Sequence, residues 1–280
     1  MQEVAIIGAG ELGGALAHVL ARRDAARAIR LIDETGRVAE GKALDIAEAA
    51  PIDGFATQLS GSTDWATAAG AAVIVVADRA GGGEWNGEEA LLLLRQLARS
   101  APGAVLVCAG ASQRELIDRG VRELRIGRER LFGTAPEALA GGARAMVALA
   151  VNGSPRDVSL SVLGIPPSHT VIPWEDATLG GFALTRTVGE PARRRVVARV
   201  AALWPPGPYA LATAAALAID AIAGRVRRVL SCFVAPDTSA GVRSRTAAMP
   251  IRLGPSGIVE MVTPTLSVME RVALENATDC

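Results

Sequence analysis

Histidine occurs only twice in these 280 residues, lysine once, and aromatic side chains make up 3% of the chain. Scarce histidine and cysteine leave little from which to build a metal centre. His18 and His169 lie far apart, Cys108, Cys232 and Cys280 are scattered without a CxxC pair, and no His/Cys/Asp/Glu set falls at ligand spacing. No metal is expected. Three dispersed cysteines suit a reducing compartment better than a disulfide framework. Neither sign of charge is in excess: 29 basic and 29 acidic residues cancel, and no basic tract stands out. A nucleic-acid partner, which needs a concentrated positive face, is therefore excluded. Apolar runs of the ~20 residues needed to cross a bilayer are missing too. The longest, Leu211 to Ala223, is short and contains Asp220. No basic segment followed by an apolar one precedes the first strand, so a cytoplasmic location is expected. Lys42 as sole lysine among arginines reflects codon usage better than function.

What remains is a chain half hydrophobic, its core built from Ala, Val, Leu and Ile, and long enough for two domains. Its most telling stretch is VAIIGAGELGGALAHVLARRDAARAIRLID, residues 4–33. Val4 to Ile7 reads as a buried strand. Gly8, Gly10 and Gly13 follow at GxGxxG spacing, and an amphipathic helix begins at once. Ile29 to Ile32 is a second strand ending in Asp33, twenty residues beyond Gly13. Each part has a physical reason: Gly8 for the tight turn, Gly10 for close approach of backbone to a pyrophosphate, Gly13 for helix–strand packing. The helix start offers free N–H groups and a positive dipole end to phosphates. Asp33 accepts from an adenosine ribose and repels a 2′-phosphate, which favours NAD over NADP. The expected cofactor-binding set is Gly8, Gly10, Glu11, Leu12, Gly13, Asp33 and Ala77. A domain whose glycines serve packing alone is the competing interpretation.

Strand-like runs at 4–7, 29–33, 56–60, 71–77, 104–109 and 130–132 alternate with helical patterns near 11–22, 38–49, 86–100 and 112–124. Alternation of this kind predicts a doubly wound parallel sheet with right-handed crossovers. It ends near residue 134. The second half mixes a helix at 136–150, segments at 157–164 and 169–173, helices near 190–204 and 207–224, strands at 227–234, 247–253 and 257–262, and a last helix at 265–276. That pattern predicts an α+β domain. The fold class is thus α/β: a nucleotide-binding domain over 1–134 and a substrate-type domain over 135–280, with the ligand cleft between them.

The sequence resembles the malate/L-lactate dehydrogenase family. Gly41-Lys42-Ala43-Leu44-Asp45-Ile46 with Glu48-Ala49-Ala50-Pro51-Ile52 is close to that family's GKALDL-x-EA-x-P pattern, and Ser62-Thr63-Asp64-Trp65, Val162-Leu163-Gly164 and Pro250-Ile251-Arg252-Leu253-Gly254 also fit. The resemblance covers nearly the whole chain. It implies a Rossmann domain, NAD, a small-molecule ligand in the cleft, and a homodimer or homotetramer. It also implies oxidation of a 2-hydroxy acid by hydride transfer to NAD, while a His oriented by an Asp handles the hydroxyl proton and arginines clamp the substrate carboxylates.

The residues that would carry those roles are absent from their positions. In the lid segment Ala77 to Gly87 both arginine positions fall on Gly81 and Gly87, with Arg79 two places early. Cys108-Ala109-Gly110 replaces Thr-Asn-Pro. In Ala138 to Arg144, Leu139 replaces the Asp and Gly142 the Arg. In Gly164-Ile165-Pro166-Pro167-Ser168-His169-Thr170, a proline takes the histidine position and His169 follows two residues later. His169 is the candidate catalytic residue as a displaced acid/base, against a turn histidine bonded to backbone. His18, beside Leu16 and Val19, reads as structural. Glu137 complements the helix dipole more readily than it replaces the Asp, and Arg144 either points toward the cleft or, as is more usual for a helical arginine, sits on a solvated face. Trp85 either closes over a ligand or packs on its own domain. Three functions stay open: a diverged NAD-dependent oxidoreductase acting on a hydroxy or oxo compound with few carboxylates, a catalytically silent NAD-binding homologue serving as sensor or partner subunit, and ordinary malate or lactate dehydrogenase.

Overall fold

Val4 to Ile7 are fully buried at the centre of one large sheet. The computed structural model describes residues 1–237 and 244–278, so Cys280 lies outside the described residues. The first half contains strands β1 (Glu3–Ile7), β2 (Ala28–Ile32), β3 (Gln58–Ser62) and β4 (Val73–Val76), with helices α1 (Glu11–Arg22), α2 (Gly36–Glu48) and the short α3 (Ala50–Asp53) between them. A small hairpin, β5 (Asp78–Arg79) and β6 (Gly83–Glu84), follows β4. Then come α4 (Gly87–Ser100), β7 (Val105–Cys108), α5 (Arg114–Arg122) and β8 (Leu131–Gly133). The strands lie in the order β3-β2-β1-β4-β7-β8, all parallel. Helices on both faces explain why the Val73–Val76 side chains are all buried. Because the chain crosses from β3 over β1 to β4, a crevice opens at the carboxyl ends of β1 and β4, where ligands of such sheets bind. The β5–β6 hairpin sits there.

The second half comprises α6 (Ala135–Ala150), β9 (Val158–Ser159), β10 (Leu163–Ile165), β11 (His169–Val171), β12 (Thr178–Leu179), β13 (Phe182–Ala183), α7 (Glu190–Ala201) and α8 (Pro208–Ile222). It continues with β14 (Leu230–Val234), β15 (Ala247–Gly254), β16 (Gly257–Met261) and α9 (Val268–Thr278). Strand β14 pairs antiparallel with β8, Phe233 opposite Gly133, so the large sheet runs on through β14-β15-β10-β11. Strands β13-β12-β9 form a separate small sheet.

The mixed α/β class and the alternation of the first half are as the sequence predicts. Two features differ. The stretch 157–164 splits into β9 and β10, which belong to different sheets. Helix α8 buries Leu211, Ala215 and Ile219 in the same apolar core as α1 and the parallel strands, while Leu139, Leu160, Trp174 and Val196 form a second core. Apolar area is gained by folding α8 back over the first half, an arrangement no local periodicity announces.

Candidate functional site

The glycine loop has the shape its spacing predicts. Gly8 adopts φ +111°, and a Cβ there would run into the Asp78 carbonyl. At Gly10 a Cβ would strike the Asp78 carboxylate instead. The close approach that Gly10 permits is thus to a side chain of the same protein. Asp78 Oδ1 accepts from Gly13 N at 2.9 Å and Oδ2 from Leu12 N at 3.2 Å, while Gly10 N donates to the Asp78 carbonyl at 2.9 Å. Two of the open N–H groups at the start of α1, and the positive end of its dipole, are met by this carboxylate. Lys42 Nζ donates to the Gly10 carbonyl at 2.6 Å, behind the loop. Ala77, just before the hairpin, donates to Ile7 O at 2.9 Å and accepts from Gln113 Nε2 at 3.3 Å. Glu11 opens α1 as its first-turn acid.

Asp33 stands at the tip of β2 as expected, but only 1% exposed. Its Oδ2 accepts from Ala9 N at 2.8 Å and from Ala80 N at 2.9 Å, and its Oδ1 from Thr35 N at 2.9 Å. Across the crevice, the Glu84 carboxylate accepts from Ala111 N (2.8 Å), Ser112 N (2.7 Å) and Ser112 Oγ (2.6 Å). The hairpin is therefore fastened on both lips of the crevice by carboxylates. Arg79 pairs with Glu89 at 3.0 Å and lies 4.8 Å above the Trp85 ring. Trp85 is 2% exposed and stacks edge-on against Trp65 at 5.8 Å, so it packs on its own domain. Asp78, Ala80 and Glu84 escaped the sequence argument; the one legible signal was an acid directly after β4, facing a glycine loop. Cys108, at the end of β7, is no nucleophile: burial first, then the Glu84 charge, pushes its thiol up to about 12.

In the second half the structure corrects two expectations. Glu137, 3% exposed, does more than complement the α6 dipole, and Arg144 is not on a solvated face: it is 13% exposed and bonds Glu137 at 2.5 Å. The other Glu137 oxygen accepts from Ser231 N at 2.8 Å, and Arg144 Nη1 donates to Leu160 O at 3.2 Å. Both charges are desolvated by the surrounding core, which is why they pair. Leu139 is buried in the second core, and a Cβ on Gly142 would meet Leu203 Cδ1 at 2.6 Å. His169 is exposed on β11 opposite Ile165, and among the described residues no carboxylate lies at ion-pair distance from it. His18 Nε2 lies 3.5 Å from Asp53 Oδ2, with its side chain half exposed. Among the described residues no group of three His, Cys, Asp or Glu is arranged to hold a metal, and no helix is long and apolar enough to cross a membrane.

Residues 2–97 match the lactate/malate dehydrogenase NAD-binding domain. Malate dehydrogenase of Thioalkalivibrio sulfidiphilus is 31% identical over 289 residues, covering 97% of this chain and 94% of that protein. The chain belongs to the lactate/malate dehydrogenase family. L-lactate dehydrogenase of Allorhizobium ampelinum is 28% identical over 97% of this chain and 94% of its own length. Among solved structures, malate dehydrogenase from Salinibacter ruber superposes with a TM-score of 0.87 at 23% identity, covering 99% of this chain and 94% of that one. Lactate dehydrogenase from Cryptosporidium parvum, complexed with lactic acid and NAD, gives 0.86 at 19% identity over 99% and 95%. These two likenesses establish the Rossmann-type fold.

As a member of this family the chain is an NAD-binding, dehydrogenase-like oxidoreductase with NAD as its cofactor. The residues do not fit NAD in the arrangement described above. The Leu12 and Gly13 N–H groups hold Asp78, and Asp33, 1% exposed, already accepts from three backbone N–H groups.

Proposed function

We propose that this chain is a diverged NAD-dependent oxidoreductase acting on a small hydroxy or oxo compound that carries few carboxylates, with residues 1–134 serving the nucleotide and 135–280 the substrate. The observation that carries this reading is the state of α6. Its single arginine, Arg144, is tied to Glu137 and Leu160 O, while position 142 is a glycine packed under Leu203. A substrate carboxylate buried beside that helix would find no free cation on it, and an unpaired buried charge is strongly disfavoured. An uncharged carbonyl substrate carries no such penalty.

We assign proton transfer to His169, on the strand that follows the Pro166–Pro167 turn. Exposure and freedom from a carboxylate partner among the described residues leave its ring available to a ligand. The alternative of a catalytically silent homologue draws no support from relatives that bear dehydrogenase names. We also read the protein as a homodimer or homotetramer; a monomeric mass by light scattering overturns that. The function is tested by following NADH oxidation with purified protein against oxaloacetate, pyruvate and a panel of uncharged aldehydes and ketones. Turnover confined to uncharged carbonyls is expected, with a loss of about 10²–10⁴-fold in kcat for His169→Gln. Robust reduction of oxaloacetate or pyruvate overturns the reading.

A further inference from the structure

We propose that the β5–β6 hairpin is a self-inhibitory strap: the Asp78 carboxylate holds the place of the dinucleotide's pyrophosphate, and NAD binds only after the hairpin swings out. The inference rests on the NAD-binding reading above and deepens it. A pyrophosphate at this crevice needs the N–H groups that open α1 and the gap over Gly10. Asp78 takes the Leu12 and Gly13 N–H groups and fills the space over Gly10. A ribose needs an acceptor on Asp33, and one of the Asp33 oxygens is claimed by Ala80 N of the same hairpin. A single displacement of residues 78–84 therefore uncovers the phosphate cradle and frees the ribose acceptor together. The occupant is also chemically apt, since an anion is what a helix N-terminus selects.

The hairpin is built to move. Its tip carries Gly81 and Gly83 at φ +76° and +71° in open space, and Gly87 at φ +60° stands at the start of α4, equally unobstructed. Its closed position is imperfect, because Arg79 Nε and Trp85 Nε1 are buried without hydrogen-bond partners among the described residues. Buried orphan donors penalise a conformation, and an opened hairpin hydrates them. The latches, in contrast, are charge-assisted bonds that favour closure: Asp78 on α1 and Glu84 on Ala111 and Ser112. Two opposing sets of this kind give a two-state element. The apparent dissociation constant of NAD is then its intrinsic value divided by the open fraction. With an open population of about 1–10%, cofactor binding is weakened roughly 10- to 100-fold.

The test is NADH titration of the full chain by calorimetry, wild type against Asp78→Ala and Asp78→Asn, each checked for folding by circular dichroism. Asp78→Ala is expected to bind NADH at least about tenfold more tightly, and Asp78→Asn, which keeps the size but loses the charge, to fall between. Should the alanine variant not fold, the asparagine variant alone decides the sign. Hydrogen exchange over residues 78–85 of the wild type is expected to quicken when NADH is added. Measurable binding that is equal or weaker in the variants, or a hairpin that NADH protects, overturns the strap and leaves NAD binding standing. If wild type and folded variants alike fail to bind NADH at millimolar concentration, the NAD-binding reading itself falls and the strap falls with it.

Discussion

Replacing Arg144 by methionine separates a structural from a substrate-binding arginine. The guanidinium joins Glu137 at 2.5 Å and Leu160 O at 3.2 Å, in a setting where Glu137 is 3% exposed. Removing one partner leaves a buried carboxylate held, among the described residues, by Ser231 N alone, and breaking such a pair costs about 3–5 kcal/mol. In a chain of this size that corresponds to a fall in Tm of about 5–9 °C. The double variant Glu137→Met/Arg144→Met removes both charges. Its remaining penalty is chiefly the unpaired Ser231 N–H, about 1–3 kcal/mol. The double variant should therefore melt higher than Arg144→Met alone. Urea unfolding followed by tryptophan fluorescence, run as a double-mutant cycle, measures the coupling. An Arg144→Met protein that melts within about a degree of wild type yet loses NADH-linked turnover refutes the structural role and makes the arginine a ligand clamp.

Trp85→Ala should cost about 3–5 kcal/mol, because the ring is buried against Trp65 and under Arg79; an unchanged urea midpoint contradicts that packing. Gly13→Ala places a methyl against the Gly8 carbonyl, where both neighbours are backbone, and should give insoluble or unfolded protein; a normal melting curve counts against the tight α1–β1 packing. Cys108 and Cys232 are buried free thiols raised above their ordinary value of 9.0 by burial, Cys108 to about 12. Neither should react with a thiol reagent in the native protein at pH 8. The unfolded thiols ionise near 9 while the folded ones stay protonated, so this contribution to stability is complete below pH 9 and is lost as the pH rises toward 12. Melting temperatures that climb over that window would contradict it.

The alternation of strands and helices in residues 1–134 could be read directly, because a parallel sheet covered on both faces demands apolar runs separated by amphipathic helices. The glycine spacing fixed the turn, and α1 begins at Glu11 and ends at Arg22 where the pattern placed it. The second half was less legible. Its strands β9 and β10 lie in one alternating segment yet join different sheets, a choice made by partners far along the chain. Sequence also showed which groups a dicarboxylate-clamping site lacks, since Leu139 and Gly142 supply neither an acid nor a cation whatever their geometry.

The chain alone determined its family, its class and the existence of a dinucleotide cradle, because these depend on local periodicity and on residue types at short spacing. Only the tertiary structure decided what fills that cradle. Asp78 reaches Gly13 across 65 residues, Ala80 reaches Asp33 across 47, and Arg144 meets Leu160 across a turn of the fold rather than of a helix. Such contacts leave no periodic trace in the sequence, since an acid that binds its own helix and an acid that awaits a ligand are written with the same letter.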